Sequence, residues 1–455
     1  MRFLFVPLLV LGACGSDNKC DPVALTGCDN GKTCEEVTGK DPACFAAVEI
    51  DGKVTDLADQ HGIAGARVVA VDVNGTAQSN VVITAADGTY KLPIPTTRNA
   101  DGTVVALATV QLRADAEGYG SFPGTVRQPL PIDLTMATMT NGGYVFKSSL
   151  SDIGLLKLAA GGGTGKLHGI VDLPEDHAGV LVVAESSSIG FSAIAERGGD
   201  YAILNLPAGH YVVTAYALGH VYTTAETDVA TADVALDLHL GADLPTSVAG
   251  SVQIVNGGTG TATSVVLFVD STYDSTTGRG VQPPNFRSPG PGIAPNVTGA
   301  FTIDGIPPGK YVAVAAFEND DLVRDPDTCI SGTADVHIVV AAGQPLTIAQ
   351  GFKITGALAV ISPGATTAEM VTGNPTFMWA DDSGEDLYLV EVFDSFGQRI
   401  WMKTTPGVSG GAPSLAYDGT PALQSGAYYQ FRVTSSKNQC ELSRTEDLRG
   451  VFYLP

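Results

Sequence analysis

The stretch GAFTIDGIPPGKYVAVAAF, Gly299 to Phe317, is the second copy of a phrase that first occurs as GDYAILNLPAGHYVVTAYA, Gly199 to Ala217. Each copy has an alternating apolar run, a P-x-G turn, and an aromatic residue opening a second apolar run. Proline presets φ and glycine accepts a reversed backbone, so P-x-G predicts a tight turn, and we expect the two strands to form a hairpin. The copies share packing and turn positions but not charged groups, so the repeat predicts architecture rather than an active site.

The composition points to an all-β protein. Of the 455 residues, 44% are hydrophobic and only 16% are charged, and glycine occurs 54 times. This mixture favours short strands and tight turns over long salt-bridged helices. Valine-rich runs such as GVLVVAES (Gly179–Ser186) and SVVLFVD (Ser264–Asp270) are bounded by turn signals, and no window predicts a convincing amphipathic helix.

The charge of the chain excludes one class of partner. Its 48 acidic and 25 basic residues give a net charge of -23. Nucleic acid is therefore not expected as a partner, because phosphate binding needs a basic surface. Solubility accounts for the acidity, and affinity for divalent cations or basic partners is the alternative.

The N-terminus has the features of an export signal. Arg2 precedes a short apolar run, Phe3 to Leu11, that is too short to span a bilayer as a helix. The sequence LGAC that ends at Cys14 resembles the lipobox of bacterial lipoproteins. This resemblance implies cleavage after residue 13, lipid on Cys14 and a membrane anchor, with Gly15 favouring the outer membrane. An ordinary signal peptide with Cys14 as a free thiol is the alternative.

The cysteine count agrees with an oxidising compartment. With Cys14 assigned to lipid, six cysteines remain, and four of them fall in one segment with almost no apolar residues. We expect two disulfides there, with three possible pairings, and a zinc site is the weaker alternative. The six disulfide candidates are Cys20, Cys28, Cys34, Cys44, Cys329 and Cys440, and the last two are expected to bridge the two C-terminal domains.

Three consecutive segments share motifs that imply a fold. The first, from Gly52 to Tyr119, contains an opening G-x-V, the entry IAGARV, the turn DGTY and the sequence AEGY. It resembles the carboxypeptidase regulatory-like domain, a small transthyretin-like β-sandwich. The second and third segments match more loosely and carry the repeated P-x-G phrase, whereas the first has TTRNADGTVVALAT in its place.

The last hundred or so residues follow a different pattern. Pro375, Trp379, the run YLVEVFD and a late G-x-Y-Y-x-F-x-V resemble a fibronectin type III domain, in which such positions pack the core. The two resemblances together imply tandem Greek-key β-sandwiches. The expected segments are a signal peptide (1–13), a lipidated, disulfide-rich segment (14–46), and four sandwiches called units 1 to 4 (47–158, 165–243, 246–358 and 360–455).

No catalytic or metal-binding motif is found. None of the seven histidines belongs to an H-x-x-E or H-E-x-x-H sequence, and G-x-S-x-G is absent. AGGGTGKL (160–167) lacks the residues of a phosphate loop and reads as a linker. The acidic run ADDSGED (380–386) matches no EF-hand and reads as a solvated loop, with Ca²⁺ binding as the alternative. We therefore expect no enzyme activity, no cofactor and no metal.

These observations predict a non-enzymatic lipoprotein of the bacterial outer membrane or cell surface. A string of sandwiches would project outward from a cysteine-rich stalk and bind protein or glycan, while the lipid anchors it to the membrane. The alternatives are a carbohydrate-binding protein and an accessory subunit of a polysaccharide- or peptide-processing system. The candidate binding residues are Tyr273, Asn285 and Phe286, in the insertion from Ser271 to Asn296, and Trp401.

Overall fold

The computed structural model describes residues 20–22, 27–29, 32–72, 77–105, 109–124, 129–140, 143–159, 163–174, 179–187, 189–196, 198–258, 260–275, 278–290, 293–315, 321–324, 333–382 and 384–455. Cys14 and Cys329 lie outside these residues. Every regular element described is a β-strand or a short 3-10 turn, which confirms the all-β class. No helix within these ranges is long and apolar enough to cross a membrane.

A small disulfide-bonded cap precedes unit 1 in the described residues. Its two strands are antiparallel, β1 (Thr33–Glu35) and β2 (Ala43–Phe45). Unit 1 follows with strands β3 (Val48–Asp56), β4 (Arg67–Val71), β5 (Val82–Ile83), β6 (Thr89–Ile94), β7 (Thr109–Asp115), β8 (Ile132–Asp133), β9 (Thr138–Thr140), β10 (Gly143–Phe146) and β11 (Ile153–Leu155), and with 3-10 turns at Leu134–Met136 and Ser149–Ser151. One sheet contains β6, β3, β9, β10 and β11, and the facing sheet has the order β5-β4-β7-β8.

Units 2 and 3 have similar sheet plans. Unit 2 has β12 (Gly165–Ile170), β13 (Leu181–Ser186), β14 (Ile189–Ile194), β15 (Asp200–Leu206), β16 (Gly209–Ala217), β17 (His220–Val221), β18 (Ala225–Val229) and β19 (Asp233–Ala235). Unit 3 has β20 (Thr246–Val255), β21 (Val265–Val269), β22 (Arg287–Ser288), β23 (Ala300–Ile306), β24 (Gly309–Ala315), β25 (Leu322–Arg324), β26 (Val336–Val340), β27 (Leu346–Thr347) and β28 (Phe352–Gly356), with a 3-10 turn at Asp270–Thr272. In both, the first strand pairs antiparallel with the strand before P-x-G and parallel with a late strand.

Unit 4 consists of a three-stranded and a six-stranded sheet. Its strands are β29 (Val360–Ser362), β30 (Glu369–Met370), β31 (Thr376–Trp379), β32 (Leu387–Asp394), β33 (Arg399–Pro406), β34 (Ser414–Ala416), β35 (Tyr428–Lys437), β36 (Cys440–Arg444) and β37 (Val451–Tyr453). The smaller sheet has the order β29-β31-β34 and the larger has β30-β37-β35-β32-β33, with β36 beside β35. Trp379 and Phe377 on β31 are fully buried between them, as expected for Trp379.

The repeated P-x-G phrase joins two sheets instead of forming the expected hairpin. In unit 2, β15 pairs with β12, while β16 pairs with β13 in the facing sheet, and unit 3 repeats this with β23 and β24. The pairing register shifts just before the turn, where Asn205 and Gly305 occupy equivalent positions with φ of 61° and 78°. A bulge followed by proline, which has no N–H to donate, ends the ladder, and the chain crosses to the other sheet.

A tyrosine fixes this crossing in both units. Tyr211 donates a hydrogen bond from its hydroxyl to the carbonyl of Pro207 at 2.8 Å, and Tyr311 donates to the carbonyl of Pro307 at 2.9 Å. Both rings are buried, so an unpaired hydroxyl would be costly. The aromatic residue of the phrase therefore holds the turn as well as packing the core.

Units 1, 2 and 3 are packed against one another. One apolar cluster contains Val69 and Val71 from β4, Leu181 and Val183 from β13, and the core of unit 3. The alternate residues of β4 and β13 belong to the cores of their own units, so these strands are buried on both faces. A strand with two buried faces is a continuous apolar run, which is what the sequence shows at these positions.

Unit 4 contacts both unit 3 and unit 1, so the units form a closed arrangement rather than the string that we expected. Tyr428 and Val451 of unit 4 belong to the apolar core of unit 1. The backbone N–H of Tyr428 donates to Ser149 Oγ at 3.0 Å. An extended string would leave these two side chains exposed to water, and their burial here favours closure.

The cap is docked on unit 1 and is not the projecting stalk that we expected. Glu35 and Arg98 are both buried, and Arg98 Nε donates to Glu35 Oε2 at 2.5 Å. Arg98 also donates to the carbonyl of Ala46 at 2.8 Å and lies over the ring of Phe45. Arg98 belongs to the stretch that replaces P-x-G in unit 1, so this departure from the repeat provides the docking surface.

Candidate functional site

The insertion from Ser271 to Asn296 contains three of the four predicted binding residues, and the structure gives it a different role. Phe286 is fully buried in the apolar cluster of unit 3, so its assignment to ligand contact was wrong. Tyr273 is half-buried, stacks on Phe268 and donates to Asp335 at 2.9 Å. Asn285 is half-buried with φ of 64°. The insertion covers the outer face of β21, all of whose residues are buried.

The same insertion links unit 3 to unit 4 through a charged contact. Arg279 Nη2 lies 2.7 Å from Asp447 Oδ2. Burial alone would raise the pKa of the Asp447 carboxyl, but Arg279, Arg432 and Arg444 outweigh it and lower this pKa to about 2. Burial lowers the pKa of Arg432 to about 10, so this guanidinium remains charged at neutral pH.

Trp401 is also not an exposed binding residue. Its side chain is buried against Tyr417 and Phe377, and its indole N–H donates to Asp418 Oδ1 at 3.0 Å. This hydrogen bond lowers the pKa of the Asp418 carboxyl. A buried indole with a partner for its N–H is an ordinary core residue, which corrects the prediction.

The cysteines of the cap form the two disulfides expected in that segment. Cys20 is bonded to Cys34 and Cys28 to Cys44. Both bridges occupy sulfurs that a zinc site would need, so the structure favours disulfides over zinc. Cys440 is disulfide-bonded, and its predicted partner Cys329 lies outside the described residues.

A cluster of three metal-ligating groups lies in unit 1, but its groups already bind protein partners. Oxygens of Asp56 and Asp59 and a ring nitrogen of His61 lie within 4.8 Å of one another. Asp56 accepts hydrogen bonds from Ala58 N and Tyr119 Oη, at 2.8 and 3.1 Å. Asp59 accepts from the side chain and backbone of His61, which lowers the pKa of this carboxyl. The arrangement is that of a hydrogen-bonded turn.

The acidic run 380–386 uses its carboxylates to hold loops together. Asp381 accepts from the backbone N–H of Gly410 at 2.9 Å, and Asp382 accepts from Ser435 Oγ at 2.6 Å. Asp386 accepts from the N–H of Asn438 at 3.0 Å. Tyr388 joins the same group, since its hydroxyl donates to Asp381 and accepts from Asp382 N, and burial raises its pKa. These contacts replace the solvated loop that the sequence suggested.

A cleft at the junction of units 3 and 4 is the candidate functional site. Its volume is about 1200 Å³, and the linker from Gly356 to Val360 lines it between the two units. One wall belongs to unit 3 and includes Asn256 and Lys353, and the other belongs to unit 4 and includes Asp382 and Glu446. Ligand sites occur preferentially at such junctions between domains.

Hydrogen bonds between the units fix the geometry of this cleft. Ser443 Oγ donates to the carbonyl of Gly356 at 2.6 Å, and Leu358 N donates to the carbonyl of Arg444 at 2.9 Å. Within unit 3, Ala357 N donates to the carbonyl of Asp321 at 3.0 Å. The two walls are therefore held in place by the chain itself, and a ligand would not have to order them.

Three of the eight described non-glycine residues with positive φ line the cleft. Asn256, Asp321 and Asn438 all line it and have φ of 49°, 63° and 51°, in the left-handed region. Asn and Asp tolerate this region better than other side chains, but the conformation still costs energy, and such residues often occur at ligand sites. Sequence reasoning missed the cleft because its residues come from separate strands and turns of two units. The only available signal was the linker VISPGATT.

Comparisons with known proteins identify no family for the chain. No protein-family model and no curated protein matches it. Among solved structures it is similar to the minor pilin of Streptococcus agalactiae (14% identity, 44% of this chain and 99% of that chain, TM-score 0.20) and to a DUF3823 family protein from Bacteroides ovatus (11%, 46% and 100%, TM-score 0.23). The TIE protein of Bacillus anthracis is a further match (10%, 89% and 73%, TM-score 0.16). TM-scores this low identify no shared fold, so function must be inferred from the chain's own residues.

Proposed function

We propose that this chain is a non-enzymatic binding protein of the bacterial envelope. Its sandwiches form a fixed frame, and its ligand binds in the cleft between units 3 and 4. The observation that carries this proposal is the cleft itself, about 1200 Å³ in volume, with walls from two units joined by hydrogen bonds. Because the walls of such a site are already ordered, ligand binding costs little conformational entropy in the protein.

The chemistry of the lining favours binding over catalysis. The described residues of the lining include no histidine and no cysteine. Asp381 and Asp382 point their carboxylates at backbone and hydroxyl donors, which already hold these groups in place. The lining thus supplies hydrogen-bonding groups without a nucleophile and base in contact.

We infer that the ligand is an extended polypeptide segment. Carboxylates and cations lie on the same surface, including Asp382 opposite Lys353, and amides such as Asn256 and Asn438 add donors and acceptors. Aromatic rings, on which a sugar would stack, are absent from the described lining. A peptide backbone with side chains of both signs is complementary to such a surface.

The proposal includes the membrane anchor and the domain families suggested by the sequence. Lipid on Cys14 would hold the protein at the outer membrane, and this is tested by comparing metabolic lipid labelling of the natural chain and of a Cys14→Ser variant. The paired sheets of units 1 to 3 support the transthyretin-like assignment. The three-stranded and six-stranded sheets around Trp379 support the fibronectin-like one.

The binding proposal is tested with a variant that fills the cleft. Ala359 lines the cleft and its side chain is exposed, so Ala359→Trp should occupy the site without disturbing a core. Ala232→Trp, at an exposed bend of unit 2, is the matched control. The full chain and both variants are probed on arrays of envelope-derived peptides and of glycans. Peptide binding lost only in Ala359→Trp supports the proposal, and binding to glycans alone would favour a carbohydrate-binding protein.

A further inference from the structure

We propose that the outer edge of unit 3 is a self-association surface, at which strand β26 pairs antiparallel with β26 of a second copy of this chain. In the described part of the chain, β26 pairs with β24 and with no other strand. Its residues, Val336 to Val340, therefore present unpaired backbone N–H and C=O groups along their other side. An open sheet edge of this kind is a template for strand addition.

The equivalent edge strand of unit 2, β18, differs from β26 in its outward-facing residues. Strand β18 pairs with β16 in the same register as β26 with β24, so the outward positions of the two strands correspond. In unit 2 these positions carry Glu226 and Asp228, whereas unit 3 has Val339 and His337, whose ring nitrogen contacts the Asp270 carboxylate. Carboxylates on an edge oppose strand addition, and unit 3 lacks them there. Val339 is 69% exposed, so its apolar side chain faces water.

The other long edges in the described ranges are protected. Each edge strand of five or more residues carries a charged residue or is covered by another unit. The charged edges are β6 (Lys91), β15 (Asp200), β18 (Glu226, Asp228), β23 (Asp304), β33 (Arg399, Lys403) and β36 (Glu441, Arg444). Strand β14 is uncharged, but Arg113 of unit 1 donates to its Ser192 carbonyl at 2.5 Å. Among the described edges, β26 is thus distinguished by having no Asp, Glu, Lys or Arg on the strand and no other unit over it; its one titratable residue, His337, pairs with Asp270 of the same unit.

A second copy is the occupant that fits this edge best. Two molecules with a net charge of -23 repel each other, so close approach is least opposed at an edge whose own strand has no carboxylate and whose neighbouring Asp270 is paired with His337. The run VHIVVAA (Val336–Ala342) has no carboxylate. Antiparallel pairing about Ile338 would place Val339 of each copy opposite His337 of the other, in the isologous geometry of a two-fold dimer. Leu244, 70% exposed, lies beside this edge through its hydrogen bond to Gly343 and adds apolar area.

The test measures the dimer directly. The full chain, carrying Cys14→Ser so that lipid cannot cluster it, is followed by sedimentation velocity over a series of protein and salt concentrations. We expect a reversible dimer that salt strengthens, because salt screens the repulsion between two acidic molecules. Val339→Asp gives unit 3 the carboxylate that unit 2 has, and we expect it to raise the dimer Kd at least roughly tenfold.

A matched control separates this edge from the effect of charge alone. Met139→Asp adds the same charge at a residue that is 61% exposed on β9, an edge of unit 1, and it should leave the Kd unchanged within about twofold. Circular dichroism checks that both variants are folded. The proposal is overturned if the Cys14→Ser chain stays monomeric throughout the series. It is also overturned if adding Val339→Asp leaves the dimer Kd unchanged, or if adding Met139→Asp raises the Kd as much as Val339→Asp does.

Discussion

The buried ion pair between the cap and unit 1 allows a quantitative prediction. Arg98→Met removes the guanidinium that faces Glu35 and leaves a carboxylate that is 1% exposed without its cation. Removing one partner of a buried pair costs about 3–5 kcal/mol, and the lost bond to the Ala46 carbonyl adds about 1 kcal/mol. Two disulfides keep the cap closed, so the cost should appear as undocking of the cap from unit 1 and not as global unfolding.

Hydrogen exchange is the assay that separates undocking from unfolding. The combined cost of about 4–6 kcal/mol should speed exchange at the docking amides of residues 38 and 98 by about a thousandfold or more. Amides in the core strands of units 2 and 4 should be unaffected. If all units lose protection together, the cap is not a separate docking element.

The dependence of this effect on pH has a definite sign. Burial raises the pKa of the Glu35 carboxyl, and Arg98 partly offsets that rise. A raised folded-state pKa means that the protonated carboxyl contributes stability below the unfolded-state pKa, and that this contribution is lost as pH rises through the folded-state value. Without Arg98 the rise is larger, so the penalty of Arg98→Met should be largest near about pH 7 and smaller near about pH 4.

A second substitution gives the control for this reasoning. Glu35→Gln in the Arg98→Met background removes the buried charge, so it should recover about half or more of the lost docking energy at neutral pH. A penalty that is equal at both pH values, or a double variant no more stable than Arg98→Met, would refute the account.

Three further substitutions test the junctions and the crossing turn. Asn205→Ala removes hydrogen bonds of 2.7 to 2.8 Å to three residues of unit 1 and keeps a strained φ of 61°. Thermal unfolding should therefore show that the free energy of unfolding falls by about 3 kcal/mol. A fall of only a few tenths of a kcal/mol would mean that this junction is unimportant. Arg279→Met should raise the pKa of Asp447 from about 2. Since a lowered folded-state pKa stabilises above the unfolded value and that stability is lost as pH falls, the acid-unfolding midpoint should move to higher pH, and an unchanged midpoint would contradict the contact. Tyr311→Phe removes the hydroxyl that binds the Pro307 carbonyl, and denaturant unfolding should show a loss of about 1–2 kcal/mol with the sheets intact.

Local features of the fold could be predicted from the sequence because they depend on neighbouring residues. The strands, the turn at P-x-G, the disulfide-bonded segment and the burial of Trp379 all follow from patterns within a few residues. The pairing of the strands around P-x-G does not follow. The same proline and glycine fit a hairpin or a crossing between sheets, and the difference lies in the bulge at Asn205 or Gly305.

Contacts between distant segments were beyond such reasoning. The sequence suggests that Trp401 is exposed, because Asp418 and Tyr417, which contact it in the structure, are distant along the chain. The sequence of the cap indicates a stalk because the contact between Glu35 and Arg98 is not visible in it. Neither residue has a neighbour in the sequence that would predict its burial. The cleft is missed for the same reason, because it is lined by a linker and by strand ends and turns from two units.

The repeated phrase therefore marks the sheet crossing of units 2 and 3, and the residues that differ between its copies determine what each crossing contacts. At one position, Asn205 donates side-chain hydrogen bonds to carbonyls of unit 1, whereas the carbonyl of Gly305 accepts from Gly219 N of unit 2 at 2.7 Å. A side chain at 305 would collide with that turn, since an added Cβ would lie 2.8 Å from Gly219 N. The junction between units 2 and 3 thus depends on close backbone approach, and the junction between units 1 and 2 on an amide side chain. Exchanging the two residues should damage both junctions while leaving each sandwich folded, because the crossing turn needs only a left-handed residue at this position.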